Sequence, residues 1–260
     1  MRHPLAGNRR QTSMPQSPAE AGSGGRPAIC RPGFADALAA SLPPAITMPA
    51  ALRVTLDWLE QVGTIIETPR GPCGTLYPAA VDLPHHRLSE VEFHIPDPSE
   101  ALWPQAPPDI GERLSLFIMT GGDGSCAGFW IDDDGRQQVV HLGSGSGSLW
   151  IDTVTDNILD FLRVLAIGYR EPGFDAYHVL APLEDDLNLR GVTPDDPRAQ
   201  DPALQDRITV PPLAYRAFLT SRFGTTIPER ACEIIPSPCG RHDRPPSAFA
   251  RWAFPGVQRD

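Results

Sequence analysis

The chain has no lysine: all 22 of its basic residues are arginines. That excludes chemistry resting on a lysine amine, such as a Schiff base, and a GC-rich coding preference accounts for the bias. Long apolar runs are missing too. A membrane helix needs about 20 consecutive apolar residues, and no stretch of this sequence approaches that. The opening MRHPLAGNRRQTSMPQ has basic residues but no apolar segment behind them. It does not read as a signal peptide, so a cytoplasmic protein is expected.

Paired cysteines are also lacking. Cys30, Cys73, Cys126, Cys232 and Cys239 form no CxxC pair and no zinc-finger spacing. They read as free thiols, some of them buried. Nucleotide and nucleophile motifs are absent as well. No serine lies in a GxSxG elbow. The Gly121–Gly124 turn has no Lys-Ser/Thr after it, and Ala127 stands where a GxGxxG motif needs its third glycine. Asp132, Asp133 and Asp134 lack the spacing and the bidentate glutamate of a calcium loop. Asp-Gly at 134–135 is instead a hairpin signal.

Proline is abundant, at 30 residues, and gathers in connecting segments and toward both ends. Charge is uneven. Residues 1–50 carry +3 and residues 240–260 carry +2, which leaves −15 for 51–239 out of a total of −10. An acidic body repels phosphates, which excludes nucleic acid as the expected partner, and it steers basic partners.

Residues 1–32 show no apolar period and predict a disordered tail. Phe34, Leu38 and Leu42 give the next segment weak helical character and leave its packing open. Leu52, Leu56, Leu59 and Val62 share one face of a helix over Ala50–Val62, with Gly63 as its cap. A β-branched run at 64–68 follows, then a break at Gly71, Pro72 and Gly74, then a strand near Thr75–Val81. Val91–Ile95 alternates as a half-buried strand does.

Leu114–Met119, Cys126–Ile131 and Gln138–Leu142 predict an antiparallel meander. Thr153 and Asp156 stand in the relation of a capping box before an apolar stripe of Ile158, Phe161, Leu162 and Leu165, which Gly168 ends. Residues 181–210 read as an acidic, proline-broken surface excursion. A last helix spans Leu213–Phe223, between Pro211-Pro212 and Gly224, and 225–235 reads as an extended closing segment.

His85, His86 and His94 fall close together, but no HxxxH helix is present and a third ligand is not evident. They read as surface histidines. The Gly143–Ser148 loop can bind anions through backbone amides or mould to a partner; a plain connector is the simpler reading.

The central block resembles the SUKH superfamily, which includes bacterial immunity proteins, herpesvirus proteins and a yeast cell-wall synthesis regulator. The likeness is carried by Leu116-Phe117-Ile118 with Gly122-Asp123-Gly124, by Phe129–Asp132, Asp134-Gly135 and Val139–Leu142, by Asp156-Asn157 through Asp160-Phe161-Leu162, and by Phe218, Phe223-Gly224 and Ile227-Pro228. It spans about residues 50–235 and is firm over 114–169.

The resemblance implies one α+β domain with a central, mostly antiparallel sheet and flanking helices, placed over 46–235; composition adds a disordered tail over 1–45, extra to the family pattern, and a loose C-terminal tail over 236–260. It also implies a non-enzymatic, immunity-type protein that binds and neutralises a cognate protein toxin. The acidic body favours a basic toxin such as a nuclease. A scaffold or regulatory interaction domain is the alternative. No catalytic residue, cofactor or metal is expected, and no nucleic-acid or membrane partner. Trp130, Arg136, Ser144, Ser146, Trp150, Glu184, Asp185 and Asp186 are the expected partner contacts, because exposed tryptophan and arginine dominate binding hot spots.

Overall fold

A computed structural model describes residues 32–78, 81–97, 103, 106–144, 151–172, 179–235 and 246–255. Its centre is a seven-stranded sheet: β1 (Ile65–Thr68), β2 (Gly71–Thr75), β3 (Glu92–His94), β4 (Leu114–Met119), β5 (Cys126–Ile131), β6 (Gln137–Leu142) and β7 (Ile151–Thr155). The strands lie side by side in chain order, and every neighbouring pair is antiparallel. The expected antiparallel sheet with flanking helices is therefore what the chain builds.

The β5–β6 turn works as its Asp-Gly signal predicts. Gly135 takes φ +76°, and Asp132 Oδ1 accepts from the amides of Asp134 and Arg136 at 3.0 and 2.8 Å. β2 differs from expectation, since it runs through the glycines and proline read as a break. Its strand state comes from two partners: Gly74 faces Ile65 on one side and Phe93 on the other. A Cβ on Gly74 would stand 3.1 Å from Ile65 Cδ1 and 3.5 Å from atoms of Leu59 and Phe34. Glycine is there so that helices can lie close.

Helices flank the sheet. They are α1 (Phe34–Ser41), α2 (Ala50–Gln61), α3 (Ile110–Arg113), α4 (Ile158–Leu165), α5 (Pro182–Asn188), α6 (Pro202–Gln205), α7 (Leu213–Phe223) and α8 (Ala248–Ala253). Of these, α1, α2, α4 and α7 pack on its inner face. Phe34 and Leu38 of α1, Leu52, Leu56 and Leu59 of α2, and Tyr215 and Leu219 of α7 join Phe93, Phe117 and Phe129 in the main core. The α4 stripe of Ile158, Phe161, Leu162 and Leu165 is buried in the same core, worth about 1.5–3 kcal/mol per side chain before entropy is subtracted. Its cap is not the expected Thr153–Asp156 box. Thr153 lies in β7, and Asn157 Oδ1 caps the helix by accepting from the Leu159 amide at 3.0 Å.

Both expected tails shrink. The expected tail over 1–45 is overturned from Pro32 onward, where the second compact unit begins, because α1 buries Phe34, Ala35 and Leu38; residues 1–31 lie outside the described residues. The supposed loose end over 236–260 contains α8, which lies on the outer face of the β4–β7 half. Phe249 and Trp252 sit 5.5 and 5.6 Å from the Trp130 ring, Trp103 stacks on Phe254 at 5.1 Å, and the Arg113 guanidinium lies over both Trp130 and Trp252. An aromatic residue in a proline-rich end holds its place because an apolar sheet face awaits it.

The acidic excursion also folds. α5 and the segment after it bury Asp185, Asp186 and Leu187, and Leu187, Val192 and Ala199 form a small cluster of their own. The segment after α7 closes with a single 3₁₀ turn at Ala231–Glu233 rather than an extended run.

Candidate functional site on the open half of the outer sheet face

Alternation along β3 sets the site. Phe93 points into the core, so Glu92 and His94 point to the outer face. Register then brings partners to that face: Cys73 lies directly opposite His94, Ile66 opposite Cys73, and Met119 opposite Glu92. α8 does not cover this half. Ile66 stays 43% exposed, and a half-open groove of about 560 Å³ runs beside it, lined by Ile66, Thr75, Tyr77, Leu88, Glu92 and Met119 among others.

Three donors converge under the groove. Glu92 Oε2 stands 3.2 Å from His94 Nε2, Cys73 Sγ stands 4.0 Å from the same nitrogen, and all three ligand atoms lie within 4.8 Å of one another. The imidazole holds the Glu92 carboxyl below its ordinary range. Burial, and then the Glu92 charge, pushes the Cys73 thiol up to about 12. A nucleophilic thiol needs the reverse shift. A Cys–His–carboxylate relay also needs its partners on opposite ring nitrogens, whereas here both face Nε2. The trio therefore lacks the linear arrangement that passes a proton from one partner to the next.

One end of the groove is strongly acidic. Glu90 and Gly122 line it. A Cβ on Gly122 would collide with Glu90 Oε2, and one on Gly121 would come within 2.9 Å of Asp123 Oδ1 and 3.1 Å of Glu171 Oε2. Three carboxylates thus meet at the two glycines, where any side chain would displace them. Arg170 supplies a cation there, 2.9 Å from Glu90 Oε1. The Glu171 carboxyl is pushed up, first by burial and then by Glu90 and Asp123. Asp123 also shapes the turn, accepting from the Ser125 amide at 2.8 Å and the Ser125 hydroxyl at 3.0 Å. A smaller cleft of about 330 Å³ gathers His86, Arg170, Arg190 and Arg207 beside Asp206; two of its arginines are engaged by Glu90 and Asp186.

The expected contact residues scatter. Trp130 is 2% exposed beneath α8 and cannot be a contact. Asp185 and Asp186 are buried, since Asp186 Oδ2 accepts from the Thr209 amide at 2.7 Å and its helix packs down. Glu184 is spent on Arg230 at 3.0 Å and on the Ala181 amide at 2.8 Å. Arg136 is exposed at the β5–β6 hairpin tip and Ser144 at the end of β6. Ser146 and Trp150 lie outside the described residues. His85 and His86 are exposed, as read from the sequence; His94 is not a plain surface histidine.

Cys73, Glu90, Glu92 and Glu171 were not singled out by sequence reasoning. The shared face of Glu92 and His94 was readable from their alternation about Phe93. The arrival of Cys73 depends on strand register, which no local pattern shows.

No family model matches this chain, and no curated protein or solved structure matches it either.

Proposed function

We propose that this chain is a non-enzymatic binding protein of the immunity type, acting in the cytoplasm to hold a basic toxin domain and cover its active surface. The observation that carries the reading is the acidic end of the outer-face groove. Glu90, Asp123 and Glu171 crowd one rim with Arg170 as their cation, and a guanidinium or ammonium from a partner is the complement of that rim. The −15 charge of residues 51–239 extends the same preference over the body and raises the encounter rate with a basic protein. A nuclease, which must itself attract phosphates, fits that description. The SUKH-like motifs of residues 116–162 lie on consecutive elements from β4 to α4, and those of 218–228 on and after α7; the immunity role is what that resemblance suggests.

The test starts from the neighbouring genes, where the reading expects one for a toxin domain, and proceeds by co-expression with its product. Survival is expected, and cells that die regardless overturn the reading. Glu171→Gln, measured with the purified pair, should weaken binding about tenfold, with an association rate that falls as salt rises. Removing residues 1–31 separates this reading from the scaffold alternative. Protection that persists supports the groove, and protection lost with the terminal segment supports the scaffold. A cut at 45 would not serve, because it removes α1 and opens the core.

A further inference from the structure

We propose that Cys73, Glu92 and His94 form a mononuclear site for a borderline-soft divalent metal ion, represented by Zn²⁺, with one coordination position left open on the outer sheet face. This stands apart from the partner reading: neither needs the other.

The donor set decides the class of ion. A thiol sulfur and an imidazole nitrogen are poor ligands for Ca²⁺ or Mg²⁺, which take oxygen. Sulfur, nitrogen and one carboxylate oxygen together suit Zn²⁺. Spacing agrees. A tetrahedral ion about 2.3 Å from sulfur and about 2.0 Å from nitrogen and oxygen holds sulfur and nitrogen about 3.6 Å apart, and nitrogen and oxygen about 3.3 Å apart. The corresponding separations here are 4.0 and 3.2 Å, so small side-chain adjustments close the site. The ligands sit on two paired strands, with Cys73 and His94 in direct register. Such placement is far stiffer than a loop.

The geometry also explains why one imidazole nitrogen meets both partners. Nε2 points to the place where sulfur and carboxylate converge, which is where an ion would sit. His94 and Glu92 keep 26% and 32% of their side chains exposed, so the fourth position faces solvent and takes water or a ligand arriving in the groove that Glu92 lines. Binding converts the Cys73 thiol to thiolate and releases its proton to solvent. Because that proton is released on ligation, affinity rises with pH.

The experiment uses the full chain, stripped with a chelator and titrated with Co²⁺ and then Zn²⁺. One equivalent of Co²⁺ should bind with a thiolate-to-cobalt charge-transfer band and tetrahedral visible absorption. Zn²⁺ should displace it and raise Tm. Cys73→Ser should lose the thiolate band. His94→Gln and Glu92→Gln, at half-exposed positions, should keep the fold by circular dichroism and weaken Zn²⁺ at least about tenfold, the size that lesser disturbances of metal sites already produce. No thiolate band in the wild-type chain overturns the site. So does a band and affinity unchanged in His94→Gln and Glu92→Gln, which would assign the metal to other cysteines among Cys30, Cys126, Cys232 and Cys239. If Cys73→Ser does not fold, the other two variants decide.

Discussion

Gly128 sits where β4 bulges against β5, at the register shift between Leu116 and Ile118. A Cβ there would collide with the Ser115 carbonyl oxygen and stand 2.7 Å from Leu116 Cα. Backbone cannot swing aside as a side-chain tip can, so Gly128→Ala should destabilise by about 1–3 kcal/mol, read as a lower denaturant midpoint. Asp185 makes a second prediction. It is 3% exposed, and its Oδ1 has no hydrogen-bond partner. Burial, then Asp186, pushes its carboxyl up to about 7, against the pull of Arg190. The unfolded chain gives up that proton near pH 3.9. The fold therefore holds a proton that the unfolded chain has lost, and stability drops as pH rises from about 4 to about 7. Asp185→Asn keeps the group neutral throughout. The fall in Tm between about pH 5 and about pH 8 should shrink in this variant; an unchanged fall would mean that Asp185 ionises freely.

At the scale of elements, α8 is the firmest test of the packing described. Phe249, on α8, is fully buried against Trp130. Phe249→Ala should cost about 3–5 kcal/mol, and removing residues 246–260 should expose Leu114, Trp130 and Val140 to a hydrophobic dye while leaving the inner-face core in place. This element was not legible in the sequence. Phe249 and Trp252 lie among prolines and arginines, and only a distant sheet face makes them buried residues. By contrast, β4, β5, β6, α2 and α7 were legible, because apolar periodicity, an Asp-Gly turn and flanking glycines or prolines are local signals. The cap of α4 was misplaced by one competing signal: Thr153 is both a cap former and a β-branched residue, and pairing with β6 drew it into β7. Half of the candidate site could be read, as Glu92 and His94 alternate about Phe93. Cys73 and Glu171 could not, since strand register and a chain reversal bring them there.

For the whole molecule, the division of the outer sheet face matters most. α8 and its aromatic partners cover the β4–β7 half, and the β1–β3 half keeps its groove, its acidic rim and the Cys73–Glu92–His94 trio. The charge is distributed in the same sense: the body is acidic, and the arginine-rich ends carry the opposite sign. Among the described residues no helix is long and apolar enough to cross a membrane.

The order in which the chain is made gives the α8 cover a further meaning. Each strand pairs with the one before it, so the sheet can extend as synthesis proceeds, N-terminal parts first. Trp130 and Val140 are therefore in place while the helix that shields them, at Ala248–Ala253, is still to come. Until more than a hundred further residues have followed Trp130, the nascent chain presents an apolar sheet face to its surroundings. For that interval the exposed face is open to non-native contacts, and α8 is the element that closes it.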